Sequence, residues 1–169
     1  MKHFLSERLI QCPSTLLSQL TAVKPVATAI VAADHPIALD SARQAFDAGV
    51  IQPVLIGGLA KISGAAEHIG WDISSFECIE ANGESEAAEE GARLAHAGSV
   101  NMIMKGHIHT DAFMRPLLAK GSGIRAGRRL SHVFHMSLPD RDDSLLLTDC
   151  ALNVAPDIET RIAIIENAI

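Results

Sequence analysis

Short apolar runs alternate with amphipathic segments along this chain, and the alternation predicts its secondary structure. The apolar runs, rich in β-branched residues, predict strands at 26–32, 50–56, 76–80 and 101–104. The amphipathic segments predict helices at 14–23, 34–48, 59–69, 85–97 and 110–120. Strands that alternate with helices are typical of a mostly parallel sheet covered by helices.

Two further apolar runs, 131–137 and 144–148, predict an antiparallel hairpin because the connection between them is short and polar. A final amphipathic segment, 157–169, predicts a helix. No stretch of the chain has the composition of a linker. We therefore expect one α/β domain over residues 1–169, a three-layer sandwich with a mostly parallel sheet and a terminal hairpin.

Composition narrows the class of protein. Of the 169 residues, 48% are hydrophobic and 20% charged, as in ordinary globular proteins, and no apolar run is long enough to span a membrane. Cys12, Cys78 and Cys150 are widely spaced, which argues for a reducing compartment and against disulfides or a zinc site. We expect a cytoplasmic protein. A net charge of −6 and the absence of tyrosine argue against nucleic-acid binding.

The segment 105–116 carries the strongest signal for a ligand. It joins the end of a predicted strand to the start of a predicted helix, which is where open α/β sheets bind ligands and where helix N–H groups attract anions. Lys105 could supply a point charge to a phosphate, Thr110 a helix cap and a hydroxyl donor, and Arg115 a bidentate clamp. The alternative is a capped surface helix with a solvated Arg115.

Histidines in the same segment have two interpretations. His107 and His109 alternate along an extended stretch and could ligate a metal. Two imidazoles without a carboxylate triad nearby are a weak metal signal, so we expect hydrogen-bonding roles and no metal site.

Two later segments offer weaker candidates. The loop 121–129 could wrap phosphates with its glycines and with Arg125, although a flexible basic loop is an alternative and no P-loop or dinucleotide fingerprint occurs. Asp149 and Asn153 follow a strand and suit either substrate positioning or a structural turn. Cys150 has no basic neighbours, so we expect a buried small side chain rather than a nucleophile.

Several of these segments together resemble the phosphate acetyl/butyryltransferase family. The resemblance lies in Lys-Gly…His-Thr…Arg-Pro at 105–116, Gly-Ile-Arg…Arg-Leu-Ser-His-Val at 123–133 and Leu-Leu-Thr-Asp-Cys-Ala-Leu-Asn-Val-Ala-Pro-Asp at 146–157, with support at 26–34 and 53–58. It implies the first domain of a phosphate acyltransferase, with an isocitrate/isopropylmalate dehydrogenase-like fold. It also implies reversible acyl transfer between coenzyme A, bound as a substrate, and inorganic phosphate, without a cofactor or metal. Arg115 is then the strongest candidate for anion contact, followed by Lys105, Thr110 and Arg125.

The chain also departs from the family. Members are about twice this length, and the serine, arginine and aspartate to which the family's catalysis is assigned have no counterpart before Ile169. We therefore expect a truncated or partial acyltransferase whose catalytic residues are unknown. Its expected partners are acyl-coenzyme A, phosphate, and either a second copy or another chain that completes it. The alternatives are a non-catalytic module that dimerises or completes a partner, and an NAD- and metal-dependent dehydrogenase of phosphorylated hydroxyacids.

Overall fold

A computed structural model describes residues Ser18, 24–121, 124, 127, 129–137 and 144–169. From residue 24 onward they form two compact units that divide between residues 126 and 127, here called the sheet unit (24–126) and the hairpin unit (127–169). No linker composition marks this division in the sequence, and a single domain over residues 1–169 stays a prediction. The predicted helix at 14–23 lies outside the described residues apart from Ser18, and so does Arg125.

The sheet unit consists of four strands, each followed by a helix, as the alternating pattern predicts. The strands are β1 (Val26–Val31), β2 (Ile51–Gly57), β3 (Glu77–Glu80) and β4 (Met102–Lys105). The helices are α1 (Pro36–Asp47), α2 (Leu59–Ile69), α3 (Glu84–His96) and α4 (Thr110–Leu118). All four strands are parallel, so the predicted parallel sheet is confirmed.

Helices cover both faces of this sheet. On one face, Ile30 and Leu55 pack against apolar residues of α1 and α2 such as Leu39. On the other face, Val31 and Ile56 join side chains of α3 and α4 in a second core. The central strands β1 and β2 are largely buried, which explains why their sequences are mostly continuous apolar runs, whereas the edge strands β3 and β4 are partly exposed.

The strand order is β3-β2-β1-β4. The chain moves outward from β1 to β3 and then crosses back through α3 to place β4 on the other side of β1. The direction of winding therefore reverses between β1 and β4. Doubly wound sheets open a crevice at such a switch point, beside the carboxyl ends of the strands.

The hairpin unit contains β5 (Val133–Ser137), β6 (Ser144–Thr148) and α5 (Ile158–Ala168). The two strands pair antiparallel, as predicted, but they form a separate two-stranded sheet rather than an extension of the parallel one. The Asp157 carboxylate accepts a hydrogen bond from Thr160 N at 2.8 Å and so caps α5. Across the described part of the chain, no helix has both the length and the apolar character that a membrane span requires.

Candidate functional site

The carboxyl ends of β1 and β4 lie side by side at the switch point, with Val31 paired to Lys105. The loops that follow are joined by hydrogen bonds from Gly106 N to Val31 O (2.8 Å) and from His107 N to Ala32 O (3.1 Å). A Cβ atom at Gly106 would collide with the carbonyl oxygens of both Val31 and Ala32. Glycine is therefore required here because two backbones meet, which the sequence did not reveal.

The backbone is strained on the β1 side of this junction. Ala32 is buried and has a φ of 56°, in the left-handed region that alanine rarely adopts. Strained backbone of this kind is concentrated at ligand-binding and catalytic positions. The observation supports the switch point as the functional part of the sheet unit.

Two imidazole rings stack across the switch point. The rings of His35, after β1, and His107, after β4, have centroids 4.0 Å apart and planes 12° from parallel. His35 Nδ1 also accepts a hydrogen bond from Ile37 N (3.2 Å), which caps α1. Sequence reasoning missed His35. Its position after a predicted strand was a usable signal, because carboxyl ends of parallel strands share one edge.

Glu84 and His109 form a carboxylate–imidazole pair between α3 and α4. His109 Nδ1 lies 2.7 Å from Glu84 Oε1, and the His109 backbone N–H donates to Glu84 Oε2 at 3.2 Å. The hydrogen bond from the His109 side chain holds the pKa of the Glu84 carboxyl below its ordinary value, against a smaller opposing effect of desolvation. Because Nδ1 of His109 is hydrogen-bonded to Glu84, Nε2 is the ring nitrogen that remains for a ligand. It could form a hydrogen bond with the ligand or transfer a proton to or from it.

The start of α4 corrects one expectation, because its N-cap is His109 rather than Thr110, which is the first helical residue. The carboxylate that binds His109 is contributed by a helix 25 residues earlier in the chain. Contact over such a separation depends on the crossing of α3 over the sheet and could not be inferred from local spacing.

The first residues of α4 and Lys105 offer donors to an anion. Among the described residues, no side chain is recorded to accept a hydrogen bond from Thr110 N or Asp111 N, although the Glu84 carboxylate already binds the N–H of the preceding His109. Lys105 is exposed at the end of β4, and none of the ion pairs among the described residues includes it. By contrast, the start of α2 is already occupied, because Leu59 N donates to the Glu80 carboxylate at 3.0 Å.

Arg115 lies further along α4, on its exposed side. Its Nη2 is 3.7 Å from Asp111 Oδ2, and the two side chains are 81% and 78% exposed. Such a solvated pair holds its partners weakly, so the guanidinium can exchange Asp111 for a ligand anion at little cost. The structure thus shows the solvated arginine of the alternative interpretation, and a role in anion contact stays a prediction.

In the hairpin unit, Asp149 and Asn153 form a structural turn. The Asp149 carboxylate accepts hydrogen bonds from His132 N (3.2 Å), Leu152 N (3.2 Å) and Asn153 N (2.9 Å), and from the Asn153 side chain. Asn153 Nδ2 also donates to Leu130 O at 3.0 Å. Desolvation opposes ionisation of Asp149, but these hydrogen bonds outweigh it and lower the pKa of the carboxyl. The contacts favour the structural-turn alternative, and substrate positioning by these residues stays a prediction.

Cys150 is exposed, so its predicted burial is wrong. The turn that Asp149 organises carries the chain away from the end of β6, and Cys150 follows it to the surface.

Among the described residues, no three or more histidine, cysteine, aspartate or glutamate side chains are grouped so that they could hold a metal ion.

Comparison with known proteins assigns this chain to a family. The family model described as phosphate acetyl/butaryl transferase matches residues 84–169, just over half of the chain. The chain belongs to this family. The matched region begins at Glu84 and includes β4, α4 and the whole hairpin unit.

Individual relatives agree with this assignment. A phosphate acetyltransferase of Rickettsia typhi is 36% identical over 99% of this chain and 46% of its own length. A phosphate butyryltransferase of Clostridium beijerinckii is 35% identical over 91% of this chain and 51% of its own length. A branched-chain phosphotransacylase from Enterococcus faecalis has a similar structure, with a TM-score of 0.66, 25% identity, and coverage of 84% of this chain and 49% of that one. The chain thus spans about half the length of the curated relatives it matches.

Proposed function

We propose that this chain binds coenzyme A and inorganic phosphate at the switch point of its sheet unit and takes part in phosphate acyl transfer. The observation that carries the proposal is the convergence of Lys105, the N-terminus of α4 and the Glu84–His109 pair at one sheet edge, in a member of this family. The reaction is acyl-coenzyme A plus phosphate giving acyl phosphate plus coenzyme A.

The acyl transfer reaction determines which chemical groups the protein must provide. A phosphate oxygen attacks the thioester carbonyl, a C–O bond forms, the C–S bond breaks, and the sulfur leaves as a thiolate that takes up a proton. Phosphate carries most of the charge, so cations and N–H donors near it favour the approach. Lys105 and the α4 N-terminus would neutralise phosphate, Thr110 would donate its hydroxyl, and His109 Nε2 would exchange a proton with the thiol.

The other candidate residues have supporting roles in the proposed binding of the substrates. Arg115 would leave Asp111 to bind a phosphate of coenzyme A, and Arg125 would support it. Asp149 and Asn153 would act by shaping the turn after β6. Coenzyme A is a substrate here, and no resident cofactor or metal is proposed. A cytoplasmic location and an isocitrate/isopropylmalate dehydrogenase-like arrangement of the complete fold are parts of the same proposal.

Binding can be measured apart from turnover. Titration calorimetry of the 169-residue chain with coenzyme A should give saturable binding, and Lys105→Ala or Arg115→Ala should weaken it about tenfold each, as loss of one charged contact does. Lys120→Ala is the matched control, since Lys120 is also exposed but lies beyond α4. Coenzyme A should also protect Arg115 and Arg125 from an arginine-modifying reagent. Absence of binding and of protection at millimolar coenzyme A would refute the proposal.

Turnover distinguishes the remaining alternatives. Acetyl- and butyryl-coenzyme A are each incubated with phosphate and the chain, and acyl phosphate is trapped as its hydroxamate. Formation that disappears in His109→Ala would support a role of this chain in catalysis. Binding without turnover would favour a module that completes a partner, the second candidate, which the many exposed apolar side chains of the hairpin unit support. A thermal shift with NAD and a divalent ion would instead favour the dehydrogenase alternative.

A further inference from the structure

His35 lies at the junction between β1 and α1, where three constraints hold its backbone and its ring. The backbone is extended, with a φ of −138° and a ψ of 137°, because the next residue is Pro36, the first residue of α1. The ring is stacked on that of His107, and its Nδ1 accepts the hydrogen bond from Ile37 N. The imidazole of His35 is therefore fixed in place by the chain itself.

The hydrogen bond from Ile37 N determines which nitrogen of His35 carries the proton. A neutral imidazole has one donor nitrogen and one acceptor nitrogen. Because Nδ1 is the acceptor, the proton lies on Nε2, on the side of the ring away from the backbone. Within the described part of the chain, Nε2 has no hydrogen-bond partner and is not enclosed by the protein. The Nε2–H group is therefore a donor that a ligand can reach.

Capping alone does not account for a histidine at this position. Helix N-caps are usually serine, threonine, aspartate or asparagine, whose short side chains bind the same backbone N–H groups. An imidazole caps through one nitrogen and carries a donor on the other, further from the backbone than any of those side chains can place one. The histidine at position 35 thus indicates a second task for its distal nitrogen.

The groups around this donor indicate an oxyanion as its ligand. Lys105 lies at the end of β4, directly beside the end of β1 in the sheet, and His107 follows it by two residues. The carboxylate next to His35, Asp34, has its Oδ2 3.9 Å from Lys61 Nζ, so a cation offsets part of its repulsion of an anion. A lysine ammonium and a fixed N–H donor at one sheet edge are complementary to a phosphate group.

We propose that His35 is a ligand-binding residue whose Nε2–H donates to a phosphate oxygen at the switch point, and that His107 is a positioning residue that holds its ring. This role rests on the proposed function and deepens it by adding a neutral, directional donor to the charged ones. The donor is already oriented before the ligand binds, so little freedom of the side chain is lost on binding. Inorganic phosphate and the phosphate groups of coenzyme A both offer such an oxygen.

Two substitutions separate the tasks of the two nitrogens of His35. In His35→Asn, the amide oxygen takes the place of Nδ1 and keeps the cap, while the distal donor is lost. We expect this variant to keep the wild-type Tm and to weaken binding about fivefold, as loss of one hydrogen bond does. In His35→Gln, the longer amide places an N–H near the position of Nε2 and the cap is lost, so the Tm should fall while most of the binding remains.

The matched control is His68→Asn, since His68 is exposed on α2, and it should change neither binding nor Tm. Inorganic phosphate and coenzyme A are titrated separately into the full chain by calorimetry, and thermal unfolding is measured for each variant. The ligand whose binding weakens in His35→Asn identifies the source of the phosphate oxygen. Equal weakening by His35→Asn and His35→Gln would show that the residue acts through its cap, and would overturn the inference.

Failure of this inference is distinguishable from failure of the proposed function. Binding that weakens in Lys105→Ala and is unchanged in His35→Asn would overturn the role of His35 and leave the proposed function standing. A wild-type chain that binds neither inorganic phosphate nor coenzyme A would overturn both.

The stack is tested by two changes at His107. His107→Phe keeps a flat ring against His35 and should retain binding, whereas His107→Ala should weaken it. A long-range ¹H–¹⁵N spectrum of the histidines should show His35 with the proton on Nε2, and the Nε2 resonance should shift when inorganic phosphate or coenzyme A is added. A resonance that stays in place while the ligand is bound, or equal binding by both His107 variants, would contradict the described geometry.

Discussion

At the scale of single residues, the site depends on contacts that fasten the loops after neighbouring strands to one another. His35 stacks on His107 across the switch point, while Glu84 holds both the ring and the backbone N–H of His109. Each contact joins the end of one βα unit to another. The positions of the ring nitrogens are thus set by the sheet rather than by the loop in which each histidine lies.

Glu84 gives the first prediction, which concerns acid stability. Its folded-state pKa lies below the ordinary value of 4.5, so its contribution is fully present above that value and is lost as pH falls through the lowered pKa. Thermal unfolding of Glu84→Gln should therefore show a lower Tm than wild type at pH 6. The difference should shrink below pH 4.5.

Glu67→Gln serves as the comparison, since Glu67 is exposed on α2 and removing its charge breaks no recorded hydrogen bond. Its Tm should follow that of wild type throughout. A Glu84→Gln difference that persists unchanged at pH 3 would show that the carboxylate–histidine contact does not contribute as described.

At the scale of elements, close packing of α3 against β1 determines where Glu84 lies. Gly91 sits in the middle of α3, and a Cβ atom there would be 2.6 Å from Val31 Cγ2. Val31 is fully buried and cannot move aside. The missing side chain lets the helix approach the sheet closely enough for its first turn to reach His109.

Substitution by alanine should therefore have opposite effects on stability at two helical glycines. Gly91→Ala gains helix propensity but overpacks the contact with Val31, and we expect a net loss of about 1–3 kcal/mol. Gly64→Ala, in α2, meets no atom within 4 Å and should gain up to about 1 kcal/mol from propensity alone. Urea denaturation of both variants provides the measurement. Equal stabilisation by the two would contradict the close approach of α3.

At the scale of the whole molecule, the two units differ in how much apolar surface they bury. The sheet unit has two cores, one on each face of its sheet. Among the described residues of the hairpin unit, Thr160 and Ile164 are the buried ones, and side chains on both strands, such as Phe134 and Leu145, are half exposed. A two-stranded hairpin is marginal by itself, so we expect the two units to have different stabilities.

Hydrogen exchange followed by mass spectrometry should resolve this difference. Amides of β1 and β2 should exchange orders of magnitude more slowly than those of β5 and β6 at low protein concentration, because exchange follows local opening. Uniform protection of all six strands would contradict the described division.

The linear pattern of residues was enough to predict the local elements and the family. Buried parallel strands need continuous apolar runs, and capped amphipathic helices follow them, so β1 to β4, their helices and the hairpin could be predicted. The segments around Lys105 and Asp149 also carried enough pattern to indicate the acyltransferase family.

The order of the strands and the contacts between distant residues depend on the folded structure and could not be predicted. The pairing of His109 with Glu84 and the need for glycine at position 106 both depend on which surfaces the crossing helices bring together, and a linear pattern does not contain that information.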